Sequence, residues 1–81
     1  LSKERRQEMV ESARKLAEDG RVSIRHVRRE AIETLKTEQK AGDITEDDLS
    51  LGEKEVQKLT DAYVKKVDEH LTAKEEDILT V

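Results

Sequence analysis

Apolar residues return at helical spacing from one end of this chain to the other, and that pattern limits its fold more than any other feature. Starting at Met9, the row Met9, Ala13, Leu16, Gly20, Ile24, Val27, Ala31, Leu35 advances in steps of three or four residues. Such steps keep one face of an α-helix in register. A parallel row, Val10, Ala17, Ile24 and Ala31, repeats every seven residues. Together the two rows make a face broader than one partner helix covers, so this helix is expected to touch two neighbours. Farther along, Leu49, Val56, Leu59, Tyr63, Val67, Leu71 and Ile78 carry the same spacing. Proline is absent, so nothing inside either row forces a helix to stop.

The ends of both helices can be read from capping chemistry. Ser2 has the side chain of an N-cap, and Glu4 sits where a negative charge suits the helix dipole. The first helix is expected over about residues 3–41, with Gly42 supplying the stop. That makes it about 55–60 Å long. Gly20, in its middle, is unfavourable by about 1 kcal/mol relative to Ala and is expected to permit a bend or a close helix contact. The link Gly42-Asp43-Ile44-Thr45 is short. Thr45 and Asp48 have capping-box spacing, and Ile44 and Leu49 have hydrophobic-staple spacing. The second helix is expected over about 46–79. A short link between long helices implies an antiparallel hairpin. The fold class is all-α: two long antiparallel helices in one unit over residues 1–81, with no repeat, linker or domain boundary.

Composition narrows the chemistry. Of 81 residues, 44% are charged and 33% hydrophobic, and Tyr63 is the lone aromatic. Aliphatic side chains and alanine must therefore make the core, which suits helices packed along a seam. Cysteine is absent, excluding disulfides and thiolate metal sites. No apolar run approaches the roughly 18 residues that span a bilayer, and no signal-peptide pattern opens the chain. An intracellular protein with no membrane partner is expected, in the cytoplasm or an organellar matrix. His26 and His70 lack metal-ligand spacing, and His70, beside the apolar stripe of the second helix, is expected at the core edge. Ser23, Ser50 and Thr60 lack a His/Asp arrangement that would make a nucleophile. Glu75-Glu76 and Asp47-Asp48 read as helix-surface and capping groups, and no glycine-rich phosphate loop occurs. No catalytic activity, cofactor, metal or small-molecule substrate is expected.

The strongest local signal is Arg21-Val22-Ser23-Ile24-Arg25-His26-Val27-Arg28-Arg29, which holds four arginines and no acid. On a helix Arg21, Arg25, Arg28 and Arg29 fit within an arc of about 100° beside the apolar face. Intrahelical partners lie three or four residues away. Arg14 has Glu11 and Glu18 in reach, Arg21 has Glu18, and Arg29 has Glu33, whereas Arg25 and Arg28 have no acid at those positions. Arg6 has none either. Crowded like charges repel by a few tenths of a kcal/mol per pair, and an anionic partner relieves that. Guanidinium groups suit phosphate because they donate in a planar fork. Three readings stand side by side: a solvated face or pairs with acids of the second helix (Glu53, Glu55, Asp61, Asp68, Glu69); contact with RNA; or contact with an acidic protein. A net charge of −4 weighs weakly against RNA. The scarcity of aromatics weighs against stacking on unpaired bases, so any RNA contact is expected at phosphate and sugar.

Arg21 through Ala31 resembles the most distinctive stretch of ribosome recycling factors. Leu1-Ser2-Lys3-Glu4-Arg5-Arg6 is similar to that family's entry into its second long helix, and Asp43-Ile44-Thr45-Glu46-Asp47-Asp48 to its inter-helix turn. Gln57-Lys58-Leu59-Thr60-Asp61 and Ala73-Lys74-Glu75-Glu76-Asp77-Ile78-Leu79 also match. Two departures stand out: His26 where Asn is usual, and Gly20 in place of a small residue that is typically Ala. Family members have a three-helix bundle with a smaller β-rich domain inserted after the first helix. The resemblance thus implies that this chain is the C-terminal part of the bundle domain, its second and third helices, without the first helix and the inserted domain. It implies action after translation termination with elongation factor G, met mainly through the other domain. It implies binding of large-subunit ribosomal RNA in the tRNA sites and promotion of subunit dissociation. Arg25 and Arg28 are the implied RNA contacts, with Arg21 and Arg29 in support and Arg6 contributing near the domain junction. The competing expectation is a structural helical hairpin that mediates protein–protein association through its broad apolar face.

Overall fold

A computed structural model describes residues 1–80; Val81, the last position of the expected unit, lies outside the described residues. The chain forms two helices, α1 (Lys3–Lys40) and α2 (Glu46–Leu79), with no strand among the described residues. Ser2 caps α1, its Oγ accepting from the Arg5 amide at 3.1 Å. Thr45 and Asp48 form the reciprocal capping box of α2, at 3.0 Å in each direction. Both starts are as expected from the sequence.

α1 ends one residue earlier than expected, at Lys40, with Ala41 as the cap. Gly42 takes the left-handed conformation, φ +83°. Its amide donates to the Gln39 carbonyl and that of Asp43 to the Glu38 carbonyl. This pair of bonds satisfies helix-end carbonyls that continued helix would otherwise use. The chain then turns within a few residues, and α2 runs back along α1.

The hairpin is long and flat, with extents of 60 × 15 × 9 Å. Its radius of gyration is 18.4 Å, against about 12 Å for a compact domain of this length. Val10 and Ile78, at the open end, are the two buried side chains among the described residues, each still 7% exposed. The seam between the helices is otherwise half-buried: Ala17, Ile24 and Leu35 on α1, Val56, Val64 and Leu71 on α2. The close helix approach falls at Gly52 rather than Gly20. A Cβ at Gly52 would lie 2.8 Å from Leu35 Cδ1, whereas at Gly20 it would meet Val67 Cγ2 at an ordinary 4.0 Å.

The breadth of the apolar face has a direct structural counterpart. Leu16 (71% exposed), Val27, Leu59 and Tyr63 project from one side of the hairpin. They line two grooves of about 490 and 420 Å³ along it. α2 half-buries most of both apolar rows of α1 and leaves Leu16 and Val27 open. His70, expected at the core edge, is instead exposed on the rim of this apolar side. Among the described residues no helix is long and apolar enough to cross a membrane.

Candidate nucleic-acid interface

Arg25 emerges on the side of the hairpin away from the open apolar groove. Arg25 and Val27 are two residues apart, hence about 160° apart around the helix. Arg25 and Arg28 border a polar groove of about 420 Å³ shared with Gln57, Asp61, Lys65 and Asp68 of α2. Arg28 lies on the seam and borders the apolar groove as well.

The antiparallel pairing decides which arginines are compensated. Arg14 Nε donates to Glu75 Oε1 at 2.7 Å. Seven residues on, Arg21 reaches Asp68, seven residues back, with its Nε and Nη2 2.8 and 2.7 Å from Oδ1. Arg21 also pairs with Glu18 at 3.1 Å, and its side chain is only 18% exposed. The hydrogen bond to Asp68, opposed by burial and joined by the bond to Glu18, holds its guanidinium above its ordinary pKa. Arg14 is raised likewise, first by its hydrogen bond to Glu75. Its partner is thus across the seam, not Glu11 or Glu18 as the intrahelical spacing suggested.

Arg25 and Arg28 differ. Arg25 is 53% exposed, and its nearest acid is Glu18 at 3.8 Å. Glu18 lies seven residues back on the same helix, so Arg25, expected to lack an acid there, has one distant contact from beyond the three-or-four spacing. Arg28 has no ion pair among the described residues; its Nε donates to the amide oxygen of Gln57 at 2.7 Å. Gln57 in turn donates to Asp61 Oδ1 at 2.8 Å. Neither arginine is therefore locked to an acid of the neighbouring helix. Arg29 is exposed and does not pair with Glu33. Arg6 is half-buried and forms no ion pair among the described residues, but it stands about 33 Å along the helix from Arg28. The structure thus brings Arg25 and Arg28 together, ties Arg21 into the hairpin, leaves Arg29 at the edge of the cluster and places Arg6 apart.

Lys65, Gln57 and Asp61 of α2 belong to this surface and were not legible from one helix alone. The heptad register finds Asp61 alone of the three: Arg14, Arg21 and Arg28 step by seven, and so do Glu75, Asp68 and Asp61 in reverse. His26 is exposed and 3.1 Å from Glu30, a surface pair. No cluster of three or more potential metal ligands occurs among the described residues.

Over residues 1–79 the sequence matches the family model described as Ribosome recycling factor. The chain belongs to the ribosome recycling factor family. It is 51% identical over all 81 residues to the ribosome-recycling factor of Cyanothece sp. (strain PCC 7425 / ATCC 29141). It is 51% identical to that of Macrococcus caseolyticus (strain JCSC5402) and 48% to that of Caldicellulosiruptor saccharolyticus, again over 81 residues. In each case the chain spans 44% of the relative's length. Two helices with one open apolar side are consistent with part of the recycling-factor bundle, which the sequence resemblance implied.

Proposed function

We propose that this chain is the RNA-contacting helical part of a protein that recycles ribosomes after termination, without enzymatic chemistry of its own. Arg25 and Arg28 meet phosphates of large-subunit ribosomal RNA in the tRNA sites, and Arg29 adds charge at the edge. Arg21 holds the hairpin beneath them, and Arg6 contributes at a separate point near the junction with the rest of the protein. Subunit dissociation then proceeds with elongation factor G, engaged mainly through parts of the protein outside this chain. The work is done in the cytoplasm or an organellar matrix.

The observation that carries this reading is the pair Arg25 and Arg28 on a long helix, with no carboxylate of α2 bound to either. A charge-assisted hydrogen bond contributes about 1.5–3 kcal/mol, enough for roughly tenfold or more in affinity per contact. Release of counterions makes phosphate binding salt-dependent. Arg25→Ala/Arg28→Ala should therefore bind purified large subunits at least tenfold more weakly. The slope of log K against log salt should fall by about 1.4–1.8 for two lost contacts. Binding equal to the parent at every salt concentration would refute the assignment.

A second reading, association with another protein, is favoured by the exposed Leu16, Val27, Leu59 and Tyr63. It concerns the opposite side of the hairpin, which the family reading gives to the first helix of the bundle. The two readings separate experimentally: the apolar contact is insensitive to salt and the arginine contact is not.

A further inference from the structure

Three cross-seam positions share one register. Arg14 meets Glu75 and Arg21 meets Asp68. One heptad on, the same register faces Arg28 with Asp61. Yet no Arg28–Asp61 ion pair forms; Gln57 stands between them, accepting from Arg28 Nε at 2.7 Å and donating to Asp61 Oδ1 at 2.8 Å. A primary amide offers one acceptor and a two-proton donor. It can therefore engage the arginine with one end and the carboxylate with the other without neutralising either. Arg28 keeps its full charge, and neither terminal nitrogen has an acceptor among the described residues.

We propose that Gln57 is a positioning residue for Arg28: it blocks the third ion pair of the ladder and holds the guanidinium by its Nε, with both terminal nitrogens left for an RNA phosphate. This rests on the RNA-contact reading of Arg28 and adds what keeps that arginine available. Arg21 shows the alternative, a guanidinium drawn down into the seam by two carboxylates. Removing the amide frees Asp61 to bond Arg28 directly. The ladder then gains a rung and the site loses a cation. Stability and binding are thereby set to move in opposite directions, which loss of a merely structural side chain does not produce.

The test uses the full chain and purified large ribosomal subunits, with four variants: Arg28→Ala, Gln57→Met, Asp61→Asn, and Gln57→Met/Asp61→Asn. Methionine keeps the length and the helix preference of glutamine but makes no comparable hydrogen bonds. Arg28→Ala should weaken binding about tenfold or more. Gln57→Met should weaken it several-fold while leaving the thermal midpoint unchanged or higher. Adding Asp61→Asn should restore binding towards the parent, since the competing carboxylate is gone. If Arg28→Ala binds as the parent does, the RNA-contact reading falls and this inference with it. If Arg28→Ala weakens binding but Gln57→Met does not, the inference alone falls. It falls too if Gln57→Met lowers binding and melting together, or if Asp61→Asn fails to rescue.

Discussion

At the residue scale, five arginines first grouped by sequence fall into different physical situations. Arg21 is shielded and held by two acids, whereas Arg25 is half exposed with one long contact. Exposed pairs contribute little to stability, so the expectation is a ranking. Arg21→Ala should lower the thermal midpoint clearly and Arg25→Ala hardly at all, as read by circular dichroism. Added salt should narrow the gap. If Arg25→Ala is the more damaging of the two, the assignment of Arg21 as the cross-seam tie is wrong. The cluster itself was legible in the sequence because arginines without nearby acids can be counted along one helix. The compensation of Arg21 by Asp68 was not, because it depends on which residue of α2 lies opposite. A search for matching heptads of opposite charge would have found it, since that register is written into both helices. Even that search would have assigned Asp61 to Arg28 and missed Gln57, because the choice between direct and amide-separated pairing is made by side-chain geometry.

At the element scale, helix boundaries were the most legible feature, since capping is local chemistry. Ser2, Thr45 with Asp48, and Gly42 do what their side chains and spacing indicate. What could not be read locally is which glycine matters for packing. Gly42 has φ +83°, so Gly42→Ala should destabilise by about 1–2 kcal/mol. Gly20→Ala should stabilise by up to about 1 kcal/mol, because its Cβ would meet Val67 at 4.0 Å. Urea unfolding of both variants checks the pair, and the same sign for the two would contradict the conformations described. The capping box also carries a pH dependence. Hydrogen bonds from the Thr45 amide, and then from its side chain, lower the Asp48 pKa below its ordinary value. A depressed carboxylate pKa gives stability that is present above the unfolded-state pKa, near 4, and lost as pH falls through the lower folded value. The stability difference between the parent and Asp48→Asn should therefore be constant from neutral pH down to about 5 and shrink below that. A difference that grows on acidification would have the wrong sign.

At the scale of the whole molecule, the sequence announced a face too broad for one partner, and the hairpin leaves that face open. Two buried side chains among the described residues, in a hairpin 60 Å long, make a thin core, and domains of this size are marginal even when compact. Leu16, Val27, Leu59 and Tyr63 form an apolar side along the hairpin rather than scattered single exposures, and such surfaces tend to be covered. The 81-residue chain on its own should therefore self-associate through this side, with a melting midpoint that rises with concentration, as mass action requires. Val27→Glu/Leu59→Glu should abolish association, and it should also lower helicity at low concentration, because the helices then lose their remaining apolar cover. The arginine side should not take part, so Arg25→Ala/Arg28→Ala should sediment like the parent. Sedimentation equilibrium over a hundredfold concentration range distinguishes these outcomes. A monomer with a sharp, concentration-independent melt would mean that the seam alone sustains the fold, and that the open side needs no partner to explain it.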